Sequence, residues 1–133
     1  MLAIDTNIVV RLIMGDDPGQ AALVRALVAA GSVWVSRTVL LETNWVLESN
    51  YGLDESKIRD AFRSLLGRDN VVTEEKTSVA AALALAEQGV EFADALHLFS
   101  RPPGAEFVTF DRTFVRRAKR AGVQGISEAY LPR

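Results

Sequence analysis

The chain predicts an α/β fold of three layers, a short parallel sheet of four to five strands flanked by helices. Three observations carry this expectation. Leu2 to Ile4, Val33 to Val35, Val71 to Thr73 and Phe107 to Phe110 are short, nearly continuous apolar runs, the pattern of strands buried on both faces. Segments with helical spacing lie between them, and that alternation is the mark of parallel crossover units. Gly, Pro and helix-capping residues fall at the junctions rather than inside the runs.

Each element follows from local chemistry. After the first strand, Ile8, Val9, Leu12 and Ile13 share one helix face, which predicts a helix over Thr6 to Met14. Asp17-Pro18 is an N-cap followed by proline at the first helical position, opening a helix that runs to about Ala30 and stops at Gly31. Past the second strand, Ser36 or Thr38 can cap a helix through Ser49, closed by Gly52, and Asp54 caps another that ends at Gly67. An alanine-rich helix spans about Thr77 to Gln88 and ends at Gly89. A second helical segment, Phe92 to Phe99, is broken by Pro102-Pro103-Gly104. The last helix begins near Asp111 or Arg112 and ends before Gly122, followed by a short strand around Gly125 to Ser127. No repeat, low-complexity tract or linker interrupts the 133 residues, and 49 % hydrophobic content is enough for a real core, so residues 1–133 are expected to form a single domain.

Composition narrows the function classes. The longest apolar stretches, such as Val79 to Ala86, are far short of the ~18 consecutive apolar residues of a membrane span. No basic region followed by an apolar run opens the chain, so a secretory signal is not expected and the cytoplasm is the expected compartment. The absence of cysteine excludes disulfides, thiolate catalysis and cysteine zinc sites. Net charge is −2, but it is unevenly spread: residues 1–100 carry −6 and residues 101–133 carry +4. A concentrated basic end permits phosphate binding without indicating it.

Four carboxylates stand out because each interrupts or ends an apolar segment. Asp5 follows Leu2-Ala3-Ile4, Glu42 lies between Val39-Leu40-Leu41 and Trp45-Val46-Leu47, Asp94 sits within Phe92-Ala93-Asp94-Ala95-Leu96, and Asp111 ends Phe107-Val108-Thr109-Phe110. Charges in such surroundings need partners, and a shared metal ion would serve all four. Ligands of open parallel sheets bind beyond the carboxyl ends of the strands, where Asp5 and Asp111 fall. Carboxylates with one histidine and no cysteine favour Mg²⁺ or Mn²⁺ over Zn²⁺. An ion so held could hydrolyse a phosphodiester.

Each acid also has a structural reading. Asp5 and Asp111 could cap the helices that follow, Glu42 could pair with Arg37 or face solvent, and Asp94 could bond His97 one turn later. For His97, that structural bond is favoured over catalysis. Arg112 to Arg120 is the densest positive patch, either a phosphate-binding face or a solvated face whose cations meet the helix dipole. Arg37, Arg112 and Arg116 are candidate contacts for the phosphates of a nucleic-acid backbone. Trp34 and Trp45 could stack on bases, although core packing is the expectation for both.

The four motifs resemble those of the PIN-domain ribonucleases, and within them the VapC-type toxins of toxin–antitoxin pairs. The resemblance covers nearly the whole chain: Ile4-Asp5-Thr6-Asn7, Val39-Leu40-Leu41-Glu42, Phe92-Ala93-Asp94-Ala95-Leu96-His97 and Val108-Thr109-Phe110-Asp111-Arg112 match in order and placement. It implies a PIN-like fold and a Mg²⁺- or Mn²⁺-dependent endoribonuclease leaving a 5′-phosphate and a 3′-hydroxyl. Asp5, Glu42, Asp94 and Asp111 would be the catalytic, metal-binding quartet, with Thr6, Asn7 and Thr109 as polar supports. It further implies an RNA substrate, a cognate antitoxin and a homodimer, for which the apolar faces of Ala21 to Leu27 or of Ile58, Phe62 and Leu65 could supply a groove, although core burial is the default for both. Two other classes compete. A non-catalytic PIN-fold binding module would carry these acids without turnover. An aspartate-nucleophile phosphohydrolase would use Asp5, but needs a second acid two residues on, where this chain has Asn7.

Overall fold

A computed structural model describes residues 1–130; the last three residues of the expected domain lie outside them. In order, the elements are β1 (Leu2–Ala3), α1 (Thr6–Met14), α2 (Pro18–Ala29), β2 (Val33–Val35), α3 (Arg37–Ser49), α4 (Glu55–Leu66), β3 (Val71–Thr73), α5 (Lys76–Glu87), α6 (Phe92–Phe99), β4 (Phe107–Thr109), α7 (Arg112–Arg120) and β5 (Ile126–Glu128). The chain forms two compact units, Met1–Lys76 and Thr77 onward.

The first unit holds a parallel sheet in the order β1-β2-β3, with Leu2 opposite Val33 and Val33 opposite Val71. β2 is central, and its Val33 and Val35 are completely buried. Capping chemistry sets the helices. Asp17 accepts the Gln20 N–H with Pro18 at the first position of α2, Ser36 accepts the Val39 N–H of α3, and Asp54 accepts the Lys57 N–H of α4. Helix α1 packs on α2 and α3, and α4 on α3 and β3. Two polar ties fasten the corners. The Asn70 side-chain amide donates to the carbonyls of Val28 and Gly31, joining the end of α2 to the entry of β3. Arg11 bonds Gln20, Asp16 and Tyr51, and the Tyr51 hydroxyl donates to Asp16 at 2.8 Å.

The second unit holds β4 and β5 as a parallel pair, Phe107 opposite Ile126. Helix α7 packs on β5, and the Phe114 ring lies 5.8 Å from Phe107, tilted by 57°. Just past α6, the Arg101 guanidinium donates to the carbonyls of Leu98, Ala105 and Gln124, so one of the basic residues of the C-terminal third is consumed inside the fold. Gly125 sits at φ +76°, and a Cβ there would stand only 3.0 Å from Arg101 Nη2, so the absence of a side chain makes room for that guanidinium.

The expected five strands are present, as ladders of three and two. β5 starts at Ile126 rather than Gly125, because its bounds are fixed by pairing with β4 and not by local sequence. Trp45 departs from the expectation of core packing: it is 62 % exposed, since α3 buries Leu40, Thr43 and Leu47 on another face. Trp34, on β2, is partly buried. Ala21, Val24, Ile58, Phe62 and Leu65 are buried, whereas Leu23 is 61 % exposed. Among the described residues, no helix is long and apolar enough to cross a membrane.

Candidate metal centre

In the first unit, the polypeptide leaves β1 through buried Ile4 and turns at Asp5, whose backbone is extended while its Oδ1 accepts the Ile8 N–H at 3.1 Å. Asp5 therefore does cap α1. The cap occupies one oxygen and is compatible with the second serving as a ligand. The next residue, Thr6, is 7 % exposed, and its Oγ1 donates to Glu42 Oε1. That bond joins the start of α1 to the first turns of α3 and fixes where Glu42 can point. Asn7 is exposed and lines a groove of about 280 Å³ with Asp5, Arg11, Leu23 and Leu27.

The second unit repeats the logic with another pair. Thr109 ends β4, and its Oγ1 accepts the Asp111 N–H at 3.1 Å, holding the turn from which Asp111 caps α7 through the Phe114 N–H at 3.0 Å. Asp94 lies in the first turn of α6 and is partly buried. Its carboxyl is raised above the ordinary aspartate range, first by burial and then by the charge of Asp111; His97 acts the other way. A cleft of about 310 Å³ is lined by Glu91, Asp94, Asp111, Thr113 and Arg117, with Gly89 and Val90 behind.

Two sequence expectations change here. Asp5, Glu42 and Asp111 are exposed, and only Asp94 is partly buried, so most of these acids stand at the surface tips of apolar segments rather than inside them. His97 is also exposed and acts on Asp94 through charge; among the described contacts no hydrogen bond joins the two.

The candidate RNA contacts differ in availability. Arg37 is engaged: its backbone N–H donates to Glu74 Oε1 at 2.8 Å and its Nε lies 3.4 Å from the same oxygen, which holds the Glu74 carboxyl below the usual range. Glu42 thus does not take Arg37 as its partner. Arg112 donates to Glu128 at 2.7 Å with its side chain 81 % exposed, and Arg116 is exposed. Two cleft residues were not singled out from the sequence. Glu91 lies three residues before Asp94, one helical turn, and that spacing was the available signal. Arg117 was hidden within a run of cations.

The donor set fits a hard divalent ion. All four predicted acids present oxygen, and the raised Asp94 carboxyl beside Asp111 is a like-charge pair that a cation would relieve. Among the described residues no ready group of three or more metal-ligating side chains occurs, and the acids stand as two pairs, one in each unit. Comparison with protein-family models matches the PIN domain over residues 2–120, a span that includes all four acids. No curated protein and no solved structure matched the chain.

Proposed function

The chain belongs to the PIN-domain family, a fold generally of nucleases that act on RNA, and from that premise we propose that it is a Mg²⁺- or Mn²⁺-dependent endoribonuclease. In this reading the chain is a single PIN domain, and Asp5, Glu42, Asp94 and Asp111 would be its metal-binding residues. The bound ion would polarise a phosphodiester and make a water a better nucleophile near neutral pH. Attack on phosphorus with departure of the 3′ oxygen yields a 5′-phosphate and a 3′-hydroxyl.

The chain's own residues divide the remaining work. Thr6 holds Glu42 through its hydroxyl, so Glu42 is pre-set to bind the ion or to orient the attacking water. Thr109 fixes the Asp111 turn, and the Asp111 cap fixes one of its carboxylate oxygens. Asn7 remains a polar support beside Asp5, and Arg112 and Arg116 are the better-placed phosphate contacts of those drawn from the sequence. What supports the proposal most is the family match over residues 2–120, beside Glu42 held by the Thr6 hydroxyl and Asp94 coupled by charge to Asp111.

The resemblance of the motifs to VapC-type sequences supports the finer reading: a toxin acting in the cytoplasm as a homodimer and held in check by an antitoxin. The test is cleavage of total cellular RNA by the purified chain in Mg²⁺ or Mn²⁺, beside Asp94→Asn and EDTA controls. Cleavage abolished in both controls is the expected result. Folded, metal-loaded protein that leaves RNA intact would instead favour the non-catalytic binding module.

A further inference from the structure

Arg117 is placed unlike the other cations of α7. Like Arg116, Lys119 and Arg120 it is exposed, but Arg117 also lines the same cleft as Asp94, Asp111 and Glu91. Its Nη1 donates to the Gly89 carbonyl at 2.6 Å, and its Cδ, Nε and Nη1 atoms lie 3.6–3.7 Å from where a Cβ on Gly89 would stand. Gly89 sits at φ +94°, so a residue without a side chain both makes the turn after α5 and gives the guanidinium a seat. Among the described residues Arg117 forms no ion pair with Asp94 or Asp111. The carboxylates therefore stay available to an ion, and the guanidinium, anchored through one nitrogen, keeps further donors for an acceptor in the cleft.

We infer that Arg117 is a substrate-phosphate contact, a positioning residue that holds a phosphate of single-stranded RNA in the acid-lined cleft. The electrostatics favour such a group beside the ion. A polyanion entering a cleft walled by three carboxylates is repelled, and Arg117 is the cation among the cleft-lining residues. The guanidinium fork matches phosphate oxygens, and the Gly89 carbonyl has already restricted its rotamers, lowering the entropy lost on binding. Thr113, on the same wall, adds a hydroxyl within the cleft. The inference rests on the ribonuclease reading and assigns its substrate contact to Arg117 over Arg116.

The experiment is fluorescence anisotropy of a labelled single-stranded RNA 20-mer of random sequence. Binding is measured in the Asp5→Asn background, which preserves the RNA and all three cleft carboxylates. Arg117→Met should weaken binding roughly tenfold and lower the slope of log K against log salt by about 0.7, the value of one single-strand phosphate. Arg117→Lys should recover part of both, and Arg116→Met should change affinity less than about twofold. A merely structural tie to Gly89 would lower the melting temperature of Arg117→Met without altering the salt slope, and that result overturns the inference. So does binding by Arg117→Met equal to its parent while wild type cleaves RNA, which leaves the ribonuclease reading intact. A wild-type chain that neither binds nor cleaves RNA overturns both.

Discussion

Replacing Asp94 by Asn should separate stability from ion binding. Burial and Asp111 raise the Asp94 carboxyl above its unfolded value, so the folded chain holds that proton more tightly than the unfolded one. The resulting stability is full below the ordinary carboxylate range and is lost as pH rises through the raised folded value. At pH 7 the ion-free protein carries the unrelieved repulsion. Asp94 is only partly buried and Asp111 is exposed, so after solvent screening the pair costs about 0.2–1 kcal/mol. Asp94→Asn without metal should therefore melt at the same temperature as wild type or about 1–4 °C above it. Metal reverses the order. A ligand at a hundredfold excess over its Kd stabilises by about 2.7 kcal/mol, near 10 °C for a chain of this length. A variant whose Kd is a hundredfold weaker keeps about 0.4 kcal/mol at the same concentration. Melting followed by circular dichroism at pH 5 to 8, with EDTA or Mn²⁺, reads both effects. Equal stabilisation of wild type and Asp94→Asn by Mn²⁺ would refute the role of Asp94 as a ligand, and an ion-free variant well below wild type would refute the repulsion.

Three other outcomes follow from single contacts. Thr6→Val keeps the shape of a nearly buried side chain but removes its bond to Glu42, so kcat should fall about three- to tenfold with KM little changed, as steady-state cleavage kinetics would show. Trp45→Ala should alter stability by no more than about 1 kcal/mol in urea unfolding, against the ~3–5 kcal/mol of a buried aromatic, because the ring is 62 % exposed. The Lys57 N–H and then the Ser56 hydroxyl hold Asp54 below the usual carboxylate range. Its contribution is present above the unfolded pKa and disappears as pH falls through the lowered folded value, so Asp54→Asn, which keeps the cap, should flatten the acid limb of the urea midpoint between about pH 2 and 5.

Helix starts were legible in the sequence because the information is local. Asp17-Pro18, Ser36, Asp54 and Asp111 each lie three residues before the N–H they accept, so cap and helix are written together. Strand runs were legible because their apolar residues are contiguous, but the expected burial on both faces does not hold: Val33, Val35 and Val71 are buried, whereas Leu2, Val72 and Val108 are exposed, because one face of each short ladder is left uncovered at these positions. Contacts between distant residues were not. The partner of Arg37 is Glu74, 37 residues away, and nothing in either neighbourhood announces it. The ladder joining β4 to β5 shifts the last strand by one residue for the same reason. The exposure of Trp45 escaped because α3 carries apolar residues around most of its circumference, so periodicity does not choose among its faces. The acids were found for a partly incorrect reason: they interrupt apolar sequence, yet Asp5 and Asp111 reach solvent because each ends a segment and caps the next. Arg117 is separated from its neighbours only by the Gly89 seat, which no local pattern encodes.

The most direct test of a shared ion is a crystal structure of the chain grown with Mn²⁺, with anomalous diffraction recorded near the manganese edge. The account predicts an anomalous peak about 2.0–2.2 Å from carboxylate oxygens among Asp5, Glu42, Asp94 and Asp111. A peak bound by none of the four acids, or no peak at all, would contradict it.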